Sequence, residues 1–169
     1  VTGLIVGIII GTLIAAVRVM PKYKRLPRVL NSICGFYVAM FRGTPMVVQL
    51  LVFYYVLFPL LGLKITGLQV AKLVFGLNSG AYISEIMRGG IQSVDPGQME
   101  AGRSLGLNYF QTLKLIIFPQ AIKNILPAIG NEFITLIKET SVAGYIGVMD
   151  LTKASDIIAS RTYDYFCPL

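Results

Sequence analysis

The sequence contains no histidine and no tryptophan, and its only cysteines are Cys34 and Cys167. Without histidine and without a CxxC pair, the residue patterns of the usual zinc sites are absent. The phosphate-binding pattern GxxxxGK[ST] does not occur either, so the chain has no sequence motif for holding the phosphates of ATP. The shortage of groups suited to acid–base chemistry argues against a membrane enzyme.

Charge is scarce as well. Charged residues make up 14% of the chain, hydrophobic residues make up 55%, and the mean hydropathy is +0.72. Residues 1–17 and 43–63 contain no charge, and their lengths are close to the roughly 20 residues that a spanning helix needs. Residues 68–87 and 115–137 are also largely apolar. We therefore predict an all-α membrane protein with four spans in this sequence.

The third and fourth predicted spans are interrupted by Lys72, Glu85, Lys123 and Glu132. A charge at the centre of a bilayer costs about 2.5 to 3.5 kcal/mol on insertion scales. We therefore expect these two helices to face other helices or a wet cavity instead of lipid.

Polar residues lie along one side of the third predicted span. Asn78 and Tyr82 are four residues apart and share a helix face, and Glu85 follows within the next turn. Two interpretations stay open: Glu85 forms a buried structural ion pair, or the polar side contacts a transported solute. Arg42 is equally open, because it either anchors at the cytoplasmic interface or lines a cavity.

Glycine and proline mark two further features. Small residues recur every four positions along one face of the first span, which favours close packing against another helix; they are Gly3, Gly7, Gly11 and Ala15. Before the second span, Gly43 and Pro45 weaken any helix that runs through residues 41–45, FRGTP.

Basic residues are concentrated on one side of the predicted spans. Those after the first and third spans are Arg18, Lys22, Lys24, Arg25, Arg28, Arg88, Arg103 and Lys114. Those on the opposite side are Lys64, Lys138, Lys153 and Arg161. The positive-inside rule then places residues 100–106 in the cytoplasm. Membrane topology accounts for the net charge of +7, and we expect no nucleic-acid partner.

The segment between the third and fourth spans carries explicit helix start and stop signals. Asp95 is a good N-cap, Pro96 fits the first helical position, and Gln98 completes a capping-box pattern with Asp95. Gly106 can take the left-handed conformation that ends a helix, and a second capping-box pattern follows in residues 108–111. The sequence predicts a compact helix–turn–helix on the cytoplasmic surface.

The same segment follows a known pattern, made of Glu100, Ala101, Gly102, Gly106, Ile116, Phe118 and Pro119. It resembles the EAA loop of the integral-membrane subunits of binding-protein-dependent ABC importers. Gly102 replaces the second alanine of that loop and Phe118 replaces a leucine, and we expect both substitutions to be mild. The stretches FRGTPMVVQLLVFYY, AYISEIMRGGIQSV and KETS are similar to permeases of the polar amino acid uptake branch.

The resemblance implies a helical bundle of the type I ABC importer permease kind, multi-pass in the inner membrane of a bacterial cell. It implies five spans, so we expect a partial first span here and a fifth span after residue 169. Residues 1–169 then form a single transmembrane permease domain, a fragment, with a cytoplasmic coupling segment at about 95–118. The implied partners are cytoplasmic ATP-binding subunits, a second permease copy or paralogue, an extracytoplasmic substrate-binding protein, a polar amino acid and membrane lipid.

The leading hypothesis is a non-catalytic permease subunit that translocates a polar amino acid, with no cofactor or metal of its own and with ATP bound by its partner. The resemblance assigns ATPase docking to Glu100, Ala101, Gly102, Arg103 and Gly106. The candidate residues of the solute path are Arg42, Glu85, Lys138 and Glu139. The alternative is an ion-coupled secondary transporter or channel, in which the charges of the third and fourth spans form the ion pathway.

Overall fold

The computed structural model describes residues 2–20 and 25–166, with side chains from residue 27 onward in the second stretch. Lys22, Lys24 and Cys167 lie outside the described residues. The described part of the chain is helical and contains no strand, as predicted. Its α-helices are α1 (Thr2–Val19), α2 (Arg25–Gly43), α3 (Met46–Leu51), α4 (Phe58–Leu60), α5 (Gly67–Gln92), α6 (Pro96–Ser104), α7 (Tyr109–Thr112), α8 (Phe118–Glu139) and α9 (Leu151–Thr162).

Helical turns of other types extend these elements. A π-helical segment, Val52–Leu57, joins α3 to α4, and a second one, Leu113–Ile117, joins α7 to α8. A 3-10 helix, Thr140–Ile146, continues from the end of α8. The chain from α7 to this 3-10 helix is therefore one long helical element.

Among the described residues, two helices are long and apolar enough to cross a membrane, Thr2–Val19 and Tyr109–Ile146. They correspond to the first and fourth predicted spans. The second predicted span is one arm of a bent pair, in which Pro27–Gly43 and Met46–Leu60 meet at 107°. The third lies within α5, whose 26 residues give a length of about 39 Å, enough for a hydrocarbon core of about 30 Å.

The connection between the first and second predicted spans is not a loop throughout, because helix α2 begins at Arg25. The basic residues there suggested a polar connection. Long basic side chains can, however, sit on a helix near a membrane interface and reach the aqueous phase, so they do not exclude helix. A helix therefore precedes the FRGTP stretch, and the chain bends at that stretch into the second predicted span.

Helices α1 and α5 form the main packing contact of the molecule, as the small-residue face of the first span predicts. A methyl group built on Gly7 would lie 2.7 Å from the Ser79 hydroxyl oxygen, and one on Gly11 would lie 2.7 Å from Ile83 Cγ2. Helix α5 presents small residues in return, because a methyl group on Gly80 would lie 2.9 Å from Ile10. The two backbones approach closely because both helices lack side chains along this line.

The contacts between α1 and α5 also show that the two helices run parallel, and this fixes the two ends of the bundle. At one end, the hydroxyl of Tyr109 donates a hydrogen bond to the carbonyl oxygen of Val19 at 2.9 Å. This end therefore holds the C-termini of α1 and α5 together with α6 and α7. At the other end, Thr2, Leu68 and Asp150 line one apolar pocket. The coupling segment and α9 thus lie at opposite ends.

Candidate solute cavity and coupling segment

The coupling segment, residues 95–118, starts with the predicted cap. The Asp95 carboxylate accepts a hydrogen bond from the Gly97 backbone amide at 2.8 Å, and Pro96 occupies the first helical position. The predicted capping box with Gln98 is not formed. The Gln98 side-chain oxygen instead accepts a hydrogen bond from Gln120 at 3.4 Å, because α8 passes close enough to offer a donor.

The turn after α6 is built as the sequence predicts. Gly106 has a φ of +85°, in the left-handed region. Its amide donates to the Arg103 carbonyl at 3.0 Å, and the Leu107 amide donates to the Gly102 carbonyl at 3.2 Å. This pair of hydrogen bonds is a Schellman motif, which satisfies the last carbonyls of α6. The reciprocal hydrogen bonds of the second capping box, between Asn108 and Gln111, are both present at 2.9 Å.

Gly102 is the buried member of the five predicted docking residues, and the other four are exposed. A methyl group at Gly102 would lie 2.4 Å from Thr112 Cγ2 and 2.9 Å from Ile116 Cδ1. Glycine at this position is therefore not a mild replacement for alanine in this chain, contrary to the sequence-based expectation. It allows α6 to pack directly against α7, whose Thr112 is fully buried.

Residues 102–106 also match the letters GxSxG of the nucleophile elbow. Ser104 lies at the end of helix α6, and its hydroxyl donates to the Glu100 carbonyl at 3.0 Å. No strand precedes this serine among the described residues, and the sequence has no histidine to act as its base. The match to this pattern therefore does not identify Ser104 as a nucleophile.

Glu85 is held by arginines from three helices. Arg18 at the end of α1 pairs with one carboxylate oxygen, and Arg88 on α5 pairs with the other at 2.6 Å. Arg42 at the end of α2 is farther away, with 3.8 Å between its Nη1 and Glu85 Oε2. Glu85 therefore forms ion pairs in this structure, and the cluster ties α1, α2 and α5 together at the end of α2.

Two buried amides hold the bend between α2 and α3. The Gln49 amide nitrogen donates to the carbonyl oxygens of Phe41 at 2.7 Å and Thr44 at 2.9 Å. Asn78 donates to the side-chain oxygen of Gln49 at 3.0 Å. In a continuous helix, the carbonyls of Phe41 and Thr44 would accept hydrogen bonds from backbone amides. At the bend the Gln49 side chain donates to them instead, so neither carbonyl is left without a partner.

A polar cavity of about 310 Å³ lies between α5 and α8. It is lined by Asn78, Tyr82, Ile86, Ala128, Asn131, Glu132, Thr135 and Glu139. The lining residues of each helix recur at spacings of three and four, so each helix turns one face to the cavity. Because they come from the middle and cytoplasmic half of α5 and from the middle and outer half of α8, the cavity lies at membrane depth, where polar groups mark solute or ion pathways.

The predicted solute-path residues are placed differently by the fold. Glu139 lines the cavity, whereas Arg42 does not line it but lies with its guanidinium carbon 5.2 Å from the ring centre of the lining residue Tyr82. Glu85 is next to the cavity but is engaged by arginines, and Lys138 is exposed and does not line it. Glu132, only 8% exposed, also lines the cavity and is not among the predicted residues of the amino acid path.

A signal for Glu132 was present in the sequence. Glu132 and Glu139 are seven residues apart, which is close to two helical turns and puts both carboxylates on one face. That face could be placed against α5 only once the fold was known.

Comparison with known proteins gives the family. The family described as "Binding-protein-dependent transport system inner membrane component" matches residues 3–166. The chain belongs to this family. The resemblance carried by the EAA pattern is thereby confirmed.

Two relatives and one solved structure illustrate the similarity of this permease to known proteins. The putative glutamine transport system permease protein GlnP of Rickettsia bellii (strain RML369-C) is 43% identical over 169 residues, covering 100% of this chain and 75% of the relative. The arginine transport system permease protein ArtQ of Bacillus subtilis (strain 168) is 42% identical over 165 residues, covering 98% of this chain and 75% of the relative. A crystal structure of an amino acid ABC transporter with histidines has 41% identity and a TM-score of 0.89, covering 99% of this chain and 75% of that chain.

These similarities confirm the type I ABC importer permease fold. They support the permease interpretation and give no support to the ion-coupled secondary transporter or channel.

Proposed function

We propose that this permease translocates a polar amino acid across the inner membrane of a bacterial cell, driven by ATP that partner subunits bind and hydrolyse. The names of its relatives refer to glutamine, arginine and amino acids, which supports this substrate class. The observation that carries the proposal is the pairing of a polar cavity at membrane depth with a rigid, capped segment at the cytoplasmic end. An extracytoplasmic binding protein delivers the amino acid.

A second permease, either another copy or a paralogue, completes the path. Asn131 and Thr135 are exposed although they line the cavity at membrane depth. Polar side chains at such depth need protein or water against them, because hydrocarbon offers no hydrogen-bonding partner. A second subunit lying along this side of α8 would close the cavity away from lipid.

The coupling segment transmits the movement of the ATPase subunits. It is joined to α8 through a continuous helix, and the bond from Tyr109 to Val19 links it to the end of α1. Glu100 and Arg103 are exposed and offer opposite charges to a docking cleft. Displacement of this segment would therefore move both helices, one of which carries the carboxylates of the cavity.

The docking role is tested by replacing Gly106 with valine. A β-branched residue at a φ of +85° costs on the order of 1 to 3 kcal/mol of strain, which distorts the turn between α6 and α7. We expect Gly106→Val to reduce the ATPase subunits retained in detergent pull-downs and to reduce substrate-stimulated ATP hydrolysis in proteoliposomes. Gly106→Asn is the matched control, because asparagine tolerates the left-handed region and should retain both.

If correctly inserted Gly106→Val protein retains its partners and its stimulated hydrolysis at the unmodified level, the segment is an ordinary loop. A loss of both readouts in Gly106→Asn as well as in Gly106→Val would show that backbone strain is not the cause.

A further inference from the structure

A second cavity, of about 280 Å³, lies near the cytoplasmic end, where α1, α5 and the helical element from α7 to α8 meet. Side chains from all three line it, among them Ala16, Val19, Met87, Ile91, Phe110 and Phe118. At about 100° per residue, Met87 and Ile91 lie on the opposite side of α5 from the residues that line the polar cavity. This second cavity therefore faces away from the second subunit proposed above and toward lipid.

The second cavity offers no free side-chain donor to water or to a polar solute. Among its described lining residues, none is charged and two carry a hydroxyl group. The hydroxyl of Thr12 donates to the Ile8 carbonyl at 2.6 Å. The hydroxyl of Tyr109 donates to the Val19 carbonyl at 2.9 Å. Because ordered water needs polar partners, a space of this kind suits hydrocarbon better than water.

The second cavity extends inward from the membrane interface and is open at its side. Its lining on α1 runs from Thr12 to Met20, which is about 12 Å at 1.5 Å per residue, and α1 ends at Val19. Ala16 is exposed although it lines the cavity, and Phe110 is 61% exposed. An acyl chain of the cytoplasmic leaflet therefore has lateral access to this space.

Basic residues lie around the cytoplasmic end of the second cavity. Lys114 is exposed and forms no ion pair with any residue that the structure describes. It lies about one helical turn from both Phe110 and Phe118. The sequence continues from the lining residue Met20 with Lys22, Lys24, Arg25 and Arg28. The acidic residues at the same end are fewer, namely Glu85, Asp95 and Glu100. Basic residues just cytoplasmic of a spanning helix attract anionic lipid headgroups.

We propose, building on the orientation and the second subunit proposed above, that this cavity holds one acyl chain of an anionic phospholipid from the cytoplasmic leaflet. The chain packs against Ala16 and Ile91, and the phosphate pairs with Lys114 at the mouth. A zwitterionic lipid offers the same chain but brings its own cation close to Lys114, so it binds more weakly. The bound chain lies against Val19 and Tyr109, whose hydrogen bond links α1 to the coupling segment.

Two lipids with identical acyl chains and different headgroup charge test this, palmitoyl-oleoyl phosphatidylglycerol and palmitoyl-oleoyl phosphatidylcholine. The complete permease with its ATPase subunits is titrated with each lipid in detergent. Native mass spectrometry then measures the dissociation constant of the first bound lipid. We expect phosphatidylglycerol to bind at least about tenfold more tightly than phosphatidylcholine, because only its headgroup carries a net charge opposite to that of the site.

Two variants with matched controls locate the lipid in this cavity. Ala16→Phe places a ring where the acyl chain lies and should weaken phosphatidylglycerol binding about tenfold, since several buried methylene groups lose their place. Ala39→Phe is its control, because Ala39 is exposed on α2 and lines neither cavity. Lys114→Gln should remove most of the preference for phosphatidylglycerol and leave phosphatidylcholine binding unchanged. Lys64→Gln makes the same change on an exposed residue at the opposite end and should alter neither.

Equal affinity for the two lipids in the unmodified protein would overturn the proposal, and so would phosphatidylglycerol binding that Ala16→Phe leaves unchanged. If a second copy of the chain fills the cavity instead, Ala16→Phe separates the two permease subunits in the mass spectrum, which also overturns it. A complex that transports amino acids without this lipid preference contradicts only the lipid site. A complex that has the preference but transports no amino acid contradicts only the proposed function.

Discussion

A methyl group at position 102 has no free volume to occupy. The nearest atoms belong to Thr112, which is fully buried and whose hydroxyl already donates to the Asn108 carbonyl at 3.0 Å. The threonine cannot rotate away without losing this bond. Position 102 is therefore where the contact between α6 and α7 is set, and it controls the shape of the coupling segment together with the turn at Gly106.

We expect Gly102→Ala to destabilise the coupling segment by about 1 to 3 kcal/mol, the range for overpacking of a well-packed site. Thr112→Ser removes the methyl group at 2.4 Å and keeps the hydroxyl, so the double variant should recover most of the loss. Hydrogen exchange of peptides over residues 95–118 measures the effect. Slow exchange in the single variant, or no recovery in the double variant, would contradict this account.

Single residues also show what the sequence could predict of the site. Asp95, Gly106 and the capping box at 108–111 act through local backbone geometry, so their roles were readable from residue type and spacing. The capping role predicted for Gln98 is wrong because its partner, Gln120, comes from another helix. Glu132 faces a cavity as its charge predicts, but the residues that share this cavity come from α5 as well as α8. Which side chain faces which depends on helix packing, and no local pattern carries that information.

At the scale of elements, the position of α1 and its close packing could be predicted. The repeat of small residues every four positions favours close packing whichever helix lies against it. The bend at FRGTP was predicted only as a weak point. Its 107° angle depends on Gln49 and Asn78, which bond the carbonyls that the bend frees. The start of α2 at Arg25 was missed, because a basic helix at an interface and a basic loop have the same composition.

Two glycine-to-alanine substitutions test the packing of α1 on α5. A methyl group at Gly7 would lie 2.7 Å from Ser79 and 3.2 Å from the Gly80 amide, so Gly7→Ala forces the helices apart. We expect a lower thermal unfolding midpoint of the purified complex, with a loss of about 1 to 3 kcal/mol. Gly35→Ala is the control, because nothing lies within 4 Å of a methyl group there and alanine is the better helix former.

The comparison is informative in both directions. If Gly7→Ala unfolds at the same temperature as the unmodified complex, the close approach of the two helices is not needed for stability. If Gly35→Ala is equally destabilised, the effect belongs to glycine in membrane helices generally and not to this contact.

For the whole molecule, the distribution of basic residues and the position of the coupling segment indicate the same orientation in the membrane. The end of the bundle that holds the coupling segment also carries Arg18, Arg88, Arg103 and Lys114. The opposite end carries Lys64, the end of α8 with Lys138, and α9 with Lys153 and Arg161. The first group lies close to the ends of the spans, where basic residues decide topology. The polar cavity lies between these two ends.

Thiol labelling in right-side-out membrane vesicles tests this orientation. In a background with Cys34 and Cys167 replaced by serine, single cysteines are introduced by Ser104→Cys on α6 and Asp156→Cys on α9, both exposed positions. Because α6 lies at the end rich in basic residues, we expect Ser104→Cys to react with a membrane-permeant maleimide only. Asp156→Cys should react with a permeant and an impermeant maleimide alike. Reaction of Ser104→Cys with the impermeant reagent in sealed vesicles would place the coupling segment outside, where no ATPase can dock, and would overturn both the orientation and the energy source assigned to this permease.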